Sequence, residues 1–245
     1  KHENNKENRK SSNSSKKRMN KLLFLLVTLF FNPFLVAEND PLEEINRVTL
    51  KVNKTLDNAV ATPVASFYKK ITPDIVELGI YNSISNIDDI SISLNNILQG
   101  KFKDGFSDIA RFTINSTLGL AGIIDVATRM GFNKHDEDFG QTLAVWGVPH
   151  GPYIMLPVLG PSSLRDTAAM IPDAFLSPSI LIEHEPTVYS LKFLDLIDTR
   201  ARYLGLESIT IGDEYLFIKD AYYQNREYES SDGEVEDDFD NFDDF

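Results

Sequence analysis

Apolar residues recur every three or four positions along this chain, in segments separated by glycine and proline. Leu42, Ile45, Val48, Val52 and Leu56 repeat at the period of a helix. Asp40 precedes them as an N-cap, with Pro41 at the first helical position and Glu43 at the third. Pro63 starts a second short helix, and Thr72-Pro73 opens a third. In 81–94 two periods compete. Ile90, Ile92 and Leu94 alternate as in a strand, whereas Ile87, Ile90, Leu94, Ile97 and Leu98 fit a helix that Gly100 would stop, and the helix is preferred. Residues 103–117 form an amphipathic helix on Phe106, Ile109, Ala110 and Ile114. Gly119 and Gly122 then separate it from 123–126, which suggests two helical arms joined by a flexible turn; close helix packing, which also selects small residues, is the alternative. Further helices are expected at 165–175, ended by Pro178, at 187–204 on Leu191, Leu194, Ile197, Ala201 and Leu204, and after a cap at Asp213. The fold class is all-α, a single domain of amphipathic helices.

One stretch breaks the helical pattern. In 138–166, Gly140, Gly147, Gly151 and Gly160 alternate with Pro149, Pro152, Pro157 and Pro161, so no long regular helix can cross it. The intervening residues are apolar, and such surface must face a core, a lipid or a partner. Trp146, Tyr153, Ile154, Met155 and Leu156 are the candidates for facing a membrane.

The two ends carry opposite charge. Residues 1–18 hold seven basic residues against two acidic ones, and the apolar run 22–31 follows. A basic segment, an apolar run shorter than the roughly 18 residues of a bilayer span, and Leu35-Val36-Ala37 mark 1–37 as an export signal region, with a retained anchor as the alternative. Residues 229–245 hold nine carboxylates and no basic residue, a composition expected to be a disordered acidic tail. Phe239, Phe242 and Phe245 recur there every third residue, a pattern that fits a basic, apolar groove on a partner as well as a plain solubilising tail. Because the net charge of −13 includes the basic leader, the exported part is more acidic still, which disfavours a nucleic-acid binder. The sequence holds no cysteine, so disulfides, thiolate metal sites, a cysteine nucleophile and a lipid-modified cysteine are all excluded.

Catalytic signatures are missing. There is no GxSxG elbow and no HExxH helix, and Ser162-Ser163 follow Gly160-Pro161 in a turn. His135 and His184 have neighbouring carboxylates, but adjacent positions rarely point at one ion, so structural roles are preferred and no metal or cofactor is expected. His150 reads as a turn residue. More informative are the charges inside apolar segments: Arg111, Asp125, Arg165 and Asp166 either form buried ion pairs and helix caps or line a wet passage for a phosphate headgroup.

Several blocks resemble the MlaA/VacJ family of outer-membrane phospholipid-transport lipoproteins. They are NDPLEEINR at 39–47, LQGKFKDGFSDIARFTINSTLGLAGIIDVAT at 98–128, the Gly-Pro run at 138–166, DTRARYLG at 198–205 and DEYLFIKDAYYQNREY at 213–228. The resemblance covers most of 38–228, in the family's order. It implies a ring-like, membrane-embedded helical body at the periplasmic face of the outer membrane, with an amphipathic channel. Such a body is not an enzyme: it removes mislocalised phospholipid from the outer leaflet, associates with trimeric porins and passes lipid to a periplasmic carrier. It also puts Gly119, Gly122, Asp125, Arg111, Arg165 and Asp166 forward as channel or hinge residues. The chain departs from the family in lacking the acylated cysteine. A membrane-associated scaffold that moves no lipid is the alternative.

Overall fold

The computed structural model describes residues 40–178, 185–205 and 212–233. The expected signal region, His184 and the three tail phenylalanines lie outside them.

Helix α1 (Glu43–Leu56) starts behind Leu42 rather than Asp40, without a side-chain cap. It runs on through a π-helical turn, Asp57–Ala61, into α2 (Thr62–Ile71), with Pro63 in its first turn. The wider turn is held from outside: Arg200 Nε and Nη2 donate to the two Asp57 carboxylate oxygens at 2.6 and 2.8 Å, and Thr62 Oγ1 adds a bond at 2.9 Å. Thr72 is extended, as the residue before Pro73 prefers, and α3 (Asp74–Leu98) follows. The helical period therefore wins over the alternating one through 81–94. Gly100, at φ 86°, ends α3 in the left-handed region and turns the chain into α4 (Phe102–Thr117), which packs back along it.

After α4 no second helical arm appears. The segment to Thr128 is a succession of turns, with only a 3₁₀ turn at Thr128–Met130. Helix α5 (Phe139–Val145) is capped by Asp138, whose carboxylate accepts from Gln141 N. The Gly-Pro run then folds into an antiparallel hairpin, β1 (Tyr153–Leu156) and β2 (Gly160–Ser163), with Tyr153 opposite Ser163. Ser163 caps α6 (Leu164–Leu176) by accepting from Asp166 N. Helix α7 (Glu185–Arg202) packs on α2 and α3, and α8 (Glu214–Ser230), capped by Asp213, packs on α5 and β2.

The hairpin sits at the centre of the apolar core. Tyr153, Met155 and Tyr215 are its buried members, packed by Leu50, Ile218, Tyr222 and Tyr223. Helix α1 is tied to β1 by two asparagines seven residues apart. Asn46 bonds Tyr153 O and Met155 N, and Asn53 bonds Leu156 O and Val158 N, all at 2.8–2.9 Å, so their amides complete the strand's free edge. Tyr153 and Met155 are 1% and 3% exposed and so do not face a membrane, contrary to expectation; Ile154 and Leu156, on the other side of the strand, are half-buried, and Trp146 is exposed. The first residues of the expected acidic tail, 229–233, are helical or in a turn. Glu229 and Ser230 belong to α8, Glu229 pairs with Arg226, and Asp232 pairs with Lys101.

Polarity is inverted over most of the molecule. Among the described residues nine apolar residues are buried against eighteen polar or charged ones. Ile45, Val48, Val52, Leu56 and Val60 form one exposed stripe along α1 and the π-helical turn, while Asn46 on the opposite face is buried. The stripe continues in kind through Phe67, Ile71, Ile75 and Leu78. Amphipathic helices of water-soluble proteins turn this face inward.

Candidate functional site

The site begins with a polar stripe on α3. Asn82, Asn86, Asp89, Ser93 and Asn96 are spaced by four, three, four and three residues, so they share one face. Its lower half joins α3 to α4: Ser93 Oγ donates to Gly105 O at 2.8 Å, and Asn96 Nδ2 to Asp108 Oδ2 at 2.9 Å. Gly105 is needed there, because a Cβ would lie 2.7 Å from Ile97 Cγ1. Asp108 also meets His135 Nδ1 at 2.8 Å, which gives that histidine a structural partner.

Its upper half faces the turn after α4. Leu120, Ala121 and Gly122 all have φ between 54° and 88°, three consecutive left-handed residues of which only one is glycine. Each non-glycine residue in that region costs roughly 1–2 kcal/mol, so the surroundings must hold the turn. Asn115 does much of this: its Oδ1 accepts from Val126 N and Ala127 N at 2.8 and 2.9 Å, and its Nδ2 donates to Asp125 Oδ1 at 3.1 Å. Asp125 also accepts from Thr128 N and Oγ1 and from Arg111 Nη2. Burial raises its pKa, but the Thr128 and Asn115 bonds and the Arg111 charge outweigh that and hold it at about 2. Arg111, 3% exposed, donates to Thr128 Oγ1 at 2.9 Å and Phe132 O at 2.5 Å.

Neither glycine of this turn is a free hinge. A Cβ on Gly119 would lie 2.2 Å from Ile124 O and 2.5 Å from Asn115 O, and one on Gly122 would lie 2.8 Å from Asn86 Cβ. The flexible link between two helical arms is thus replaced by a packed, strained turn.

Two concavities meet on α3. A polar pocket of about 110 Å³ is lined by Asn86, Asp89, Arg111, Asn115, Asp125 and Lys134, among others. Lys134 Nζ donates to Asp89 Oδ1 at 2.6 Å and to Ser85 O at 2.8 Å. Burial pushes the Asp89 carboxyl upward against the pull of Lys134 and Arg111. An apolar groove of about 490 Å³ lies beside it, between Ile75, Val76, Ile80 and Ile84 of α3, Leu191 and Leu194 of α7, and Ile123 of the turn. The turn therefore gives Ile123 to the groove and Asp125, two residues on, to the polar pocket. A molecule with a charged end and a hydrocarbon end could use both.

Arg165 and Asp166 lie elsewhere. Arg165 Nε donates to Asp166 Oδ1 at 2.7 Å; Asp166 Oδ2 accepts from Arg226 Nε at 2.9 Å and from the Tyr222 hydroxyl. Arg226 Nη1 and Nη2 grip both Asp138 oxygens at 2.8 and 2.9 Å, and Nη1 reaches Glu229 at 2.9 Å. This clamp ties α8 to α5 and α6. Gly140 lets it close, since a Cβ there would lie 2.5 Å from Asp166 Oδ1 and 2.6 Å from Arg226 Nη2. Burial raises the Asp166 pKa, and the Arg165 and Tyr222 bonds outweigh it to hold the group at about 2. His150, beside the clamp, is lowered to about 4 by burial and the Arg165 charge. Of the sequence-derived candidates, then, Arg111, Asp125, Gly119 and Gly122 come together, whereas Arg165 and Asp166 belong to a separate, closed network.

Asn86, Asp89, Asn115 and Lys134 were missed. The polar stripe on α3 was the available signal for the first two; Lys134, in an irregular loop 45 residues from Asp89, carried none.

A helical body with a polar interior, an apolar exterior and an amphipathic cleft defines the class: a helical protein of inverted polarity. The MlaA lipoprotein family matches residues 38–229, and the chain belongs to that family. It is 31% identical to the intermembrane phospholipid transport system lipoprotein MlaA of Escherichia coli K12 over 205 residues, 81% of each chain. It is 30% identical to the protein of the same name from Haemophilus influenzae, over 80% of this chain and 81% of that one, and 33% identical to a Rickettsia felis protein, over 77% and 76%. A solved chain described under "Structural basis for maintenance of bacterial outer membrane lipid asymmetry" superposes with a TM-score of 0.71 at 29% identity, covering 79% of this chain and all of that one.

Proposed function

We propose that this protein is a non-enzymatic phospholipid transport component at the periplasmic face of an outer membrane. It takes mislocalised phospholipid from the outer leaflet and passes it to a periplasmic carrier, which maintains lipid asymmetry. The inverted polarity is the observation that carries this reading. Apolar stripes such as Ile45, Val48, Val52, Leu56 and Val60 are exposed, yet among the described residues no helix is long and apolar enough to cross a membrane. Helices of this kind lie within one leaflet, apolar face to the acyl chains.

Chemistry without bond making suffices for such a role. At about 0.8 kcal/mol per CH₂, drawing two acyl chains through water costs tens of kcal/mol, so a body that shelters them sets the rate. The groove on α3 and the adjoining polar pocket supply the two environments a phospholipid needs. A trimeric porin is the proposed neighbour in the membrane and a soluble lipid carrier the proposed recipient.

Two measurements test this reading. Phospholipid should be recovered by mass spectrometry from protein purified in mild detergent, and replacing Ile45, Val48 and Val52 together by serine should shift the protein from the membrane fraction to the soluble one without lowering its melting temperature. A protein that carries no lipid but stays membrane-bound is a scaffold, and the transport reading fails.

A further inference from the structure

The polar pocket has an unmet hydrogen-bonding inventory that specifies its ligand. Three of its buried atoms have no hydrogen-bond partner: Asn86 Oδ1, Asp89 Oδ2 and Arg111 Nε. Asn86, Asp89 and Arg111 are 4%, 0% and 3% exposed. Asp89 Oδ2 and Arg111 Nε lie 3.6 Å apart, close enough to attract and too far to bond. Leaving buried polar atoms unsatisfied is costly, so they mark a place where something else binds. The pocket is large enough for it, at about 110 Å³.

Two of the three atoms are acceptors. The four charged side chains of the lining, Asp89, Asp125, Arg111 and Lys134, cancel in formal charge, so the pocket offers no net attraction to an anion. A phosphate placed inside would meet the unpaired oxygens of Asn86 and Asp89. A quaternary ammonium would bring no N–H to them. A primary ammonium brings three. Lys134, whose Nζ has two partners among Asp89 Oδ1 and Ser85 O, has a part-exposed side chain at the pocket and keeps a third N–H for a phosphate outside it.

We propose that the pocket takes the primary ammonium end of a zwitterionic phospholipid headgroup, with Asp89 Oδ2 and Asn86 Oδ1 accepting its N–H groups and Lys134 meeting the phosphate. This rests on the transport reading and deepens it: the protein selects ethanolamine-type headgroups over choline and glycerol ones, while the groove between α3 and α7 takes an acyl chain regardless of headgroup.

The test is competition for the full chain in mild detergent among phosphatidylethanolamine, phosphatidylcholine and phosphatidylglycerol with identical acyl chains, read by mass spectrometry of bound lipid. Ethanolamine lipid should be enriched by about tenfold, the worth of one charge-assisted hydrogen bond. Asp89→Asn should bring the three lipids close to parity by lowering the ethanolamine lipid bound while the choline and glycerol lipids stay at their wild-type levels, and Asn86→Ala reads the same loss if the first variant does not fold. Lipid bound at equal ratios by the wild-type protein overturns the headgroup assignment and leaves transport standing. No lipid of any kind overturns the transport reading itself. Saturation of the site by free O-phosphoethanolamine at the concentrations where the lipid binds also overturns the assignment, because the ligand would then be a soluble amine.

Discussion

Two buried charge networks in this molecule use the same side chains to opposite ends. In the clamp, Arg226 spans Asp138, Asp166 and Glu229, and four of its bonds are at 2.8 or 2.9 Å. Nothing can enter, since even the Cβ of an alanine at position 140 would strike it. In the pocket, Arg111 also meets two carboxylates, but at 3.2 and 3.6 Å, with Asn86, Asp89 and Arg111 atoms unpartnered and a cavity between them. A network packed shut holds elements together, and one beside a cavity is available to a ligand. The difference cannot be read from residue type: Arg165 Nη2 in the clamp is also without a partner, and what sets the pocket apart is the cavity lined by its residues.

The sharpest way to break that contrast is Arg226→Met. It leaves part-exposed Asp138 without its cation and Asp166 with the Arg165 cation alone, so the cost should fall toward the lower end of the about 3–5 kcal/mol of a broken buried pair. The melting temperature in detergent should fall accordingly, while lipid bound per folded molecule stays unchanged. A loss of lipid preference in protein that is still folded would merge the clamp with the site.

Gly119→Ala ranks second. The new Cβ would sit 2.2 Å from one carbonyl oxygen and 2.5 Å from another, both backbone, so the turn or α4 must move. Overpacking of this sort costs about 1–3 kcal/mol. Chemical denaturation should show that loss. Gly122→Ala should cost about as much, because the roughly 1–2 kcal/mol of strain at φ 88° adds to a contact 2.8 Å from Asn86 Cβ, which cannot swing away. Unchanged stability in both variants would restore the flexible hinge expected from sequence.

These cases show what the chain disclosed and what it withheld. Helical spacing located α1 through Ile45, Val48, Val52 and Leu56, but periodicity gives the existence of an apolar face and not its direction, and here it points outward. In β1 all four residues, Tyr-Ile-Met-Leu, are apolar, so the alternation that buries Tyr153 and Met155 left no mark. Gly119 and Gly122 were visible as special positions; whether they provide freedom or close approach depends on Asn115, Ile124 and Asn86, which only the fold brings near. Arg165-Asp166 was legible as an ion pair, whereas Arg226, 60 residues beyond Asp166, was not. Family resemblance located the blocks correctly, and the physical role of each residue came from its partners.

Acid titration separates the groups by sign. Asp166 in the clamp and Asp125 in the pocket are both held at about 2 in the folded protein, below their ordinary carboxylate range. Their stabilisation is complete above the unfolded pKa of about 4 and disappears as pH falls through 2. Asp173, seven residues after Asp166 on α6, moves the other way: burial raises it to about 6, although its Oδ1 accepts from Phe139 N at 2.9 Å. The native state therefore takes up a proton between pH 6 and about 4 that the unfolded chain does not, and stability rises on acidification over that window. Unfolding free energy, read by chemical denaturation, should pass through a maximum near pH 4 to 5, on the order of 1 kcal/mol above its value at pH 7. Burial raises Asp88 to about 6 as well, so Asp173→Asn should reduce the rise, the double variant with Asp88→Asn should flatten it, and both should leave the acid limb. A steady decline from pH 7 in the wild-type protein would show that neither Asp173 nor Asp88 is raised.

The smallest effect expected is the most discriminating. Lys134→Met removes the cation nearest Asp89, bonded at 2.6 Å, just as Arg226→Met removes the one that Asp138 shares with Asp166. In the clamp Asp166 keeps Arg165 and Tyr222, while Asp138 keeps only the bond from Gln141 N and its contact with solvent. In the pocket Asp89 keeps Arg111 at 3.6 Å, and the cavity admits water to the vacated oxygen. The cost should therefore stay near or below about 1 kcal/mol, a shift of roughly 2–4 °C for a chain of this size. If Lys134→Met instead destabilises the protein as much as Arg226→Met, water does not enter, the pocket is a second clamp, and the distinction between a holding network and a binding one fails for this protein.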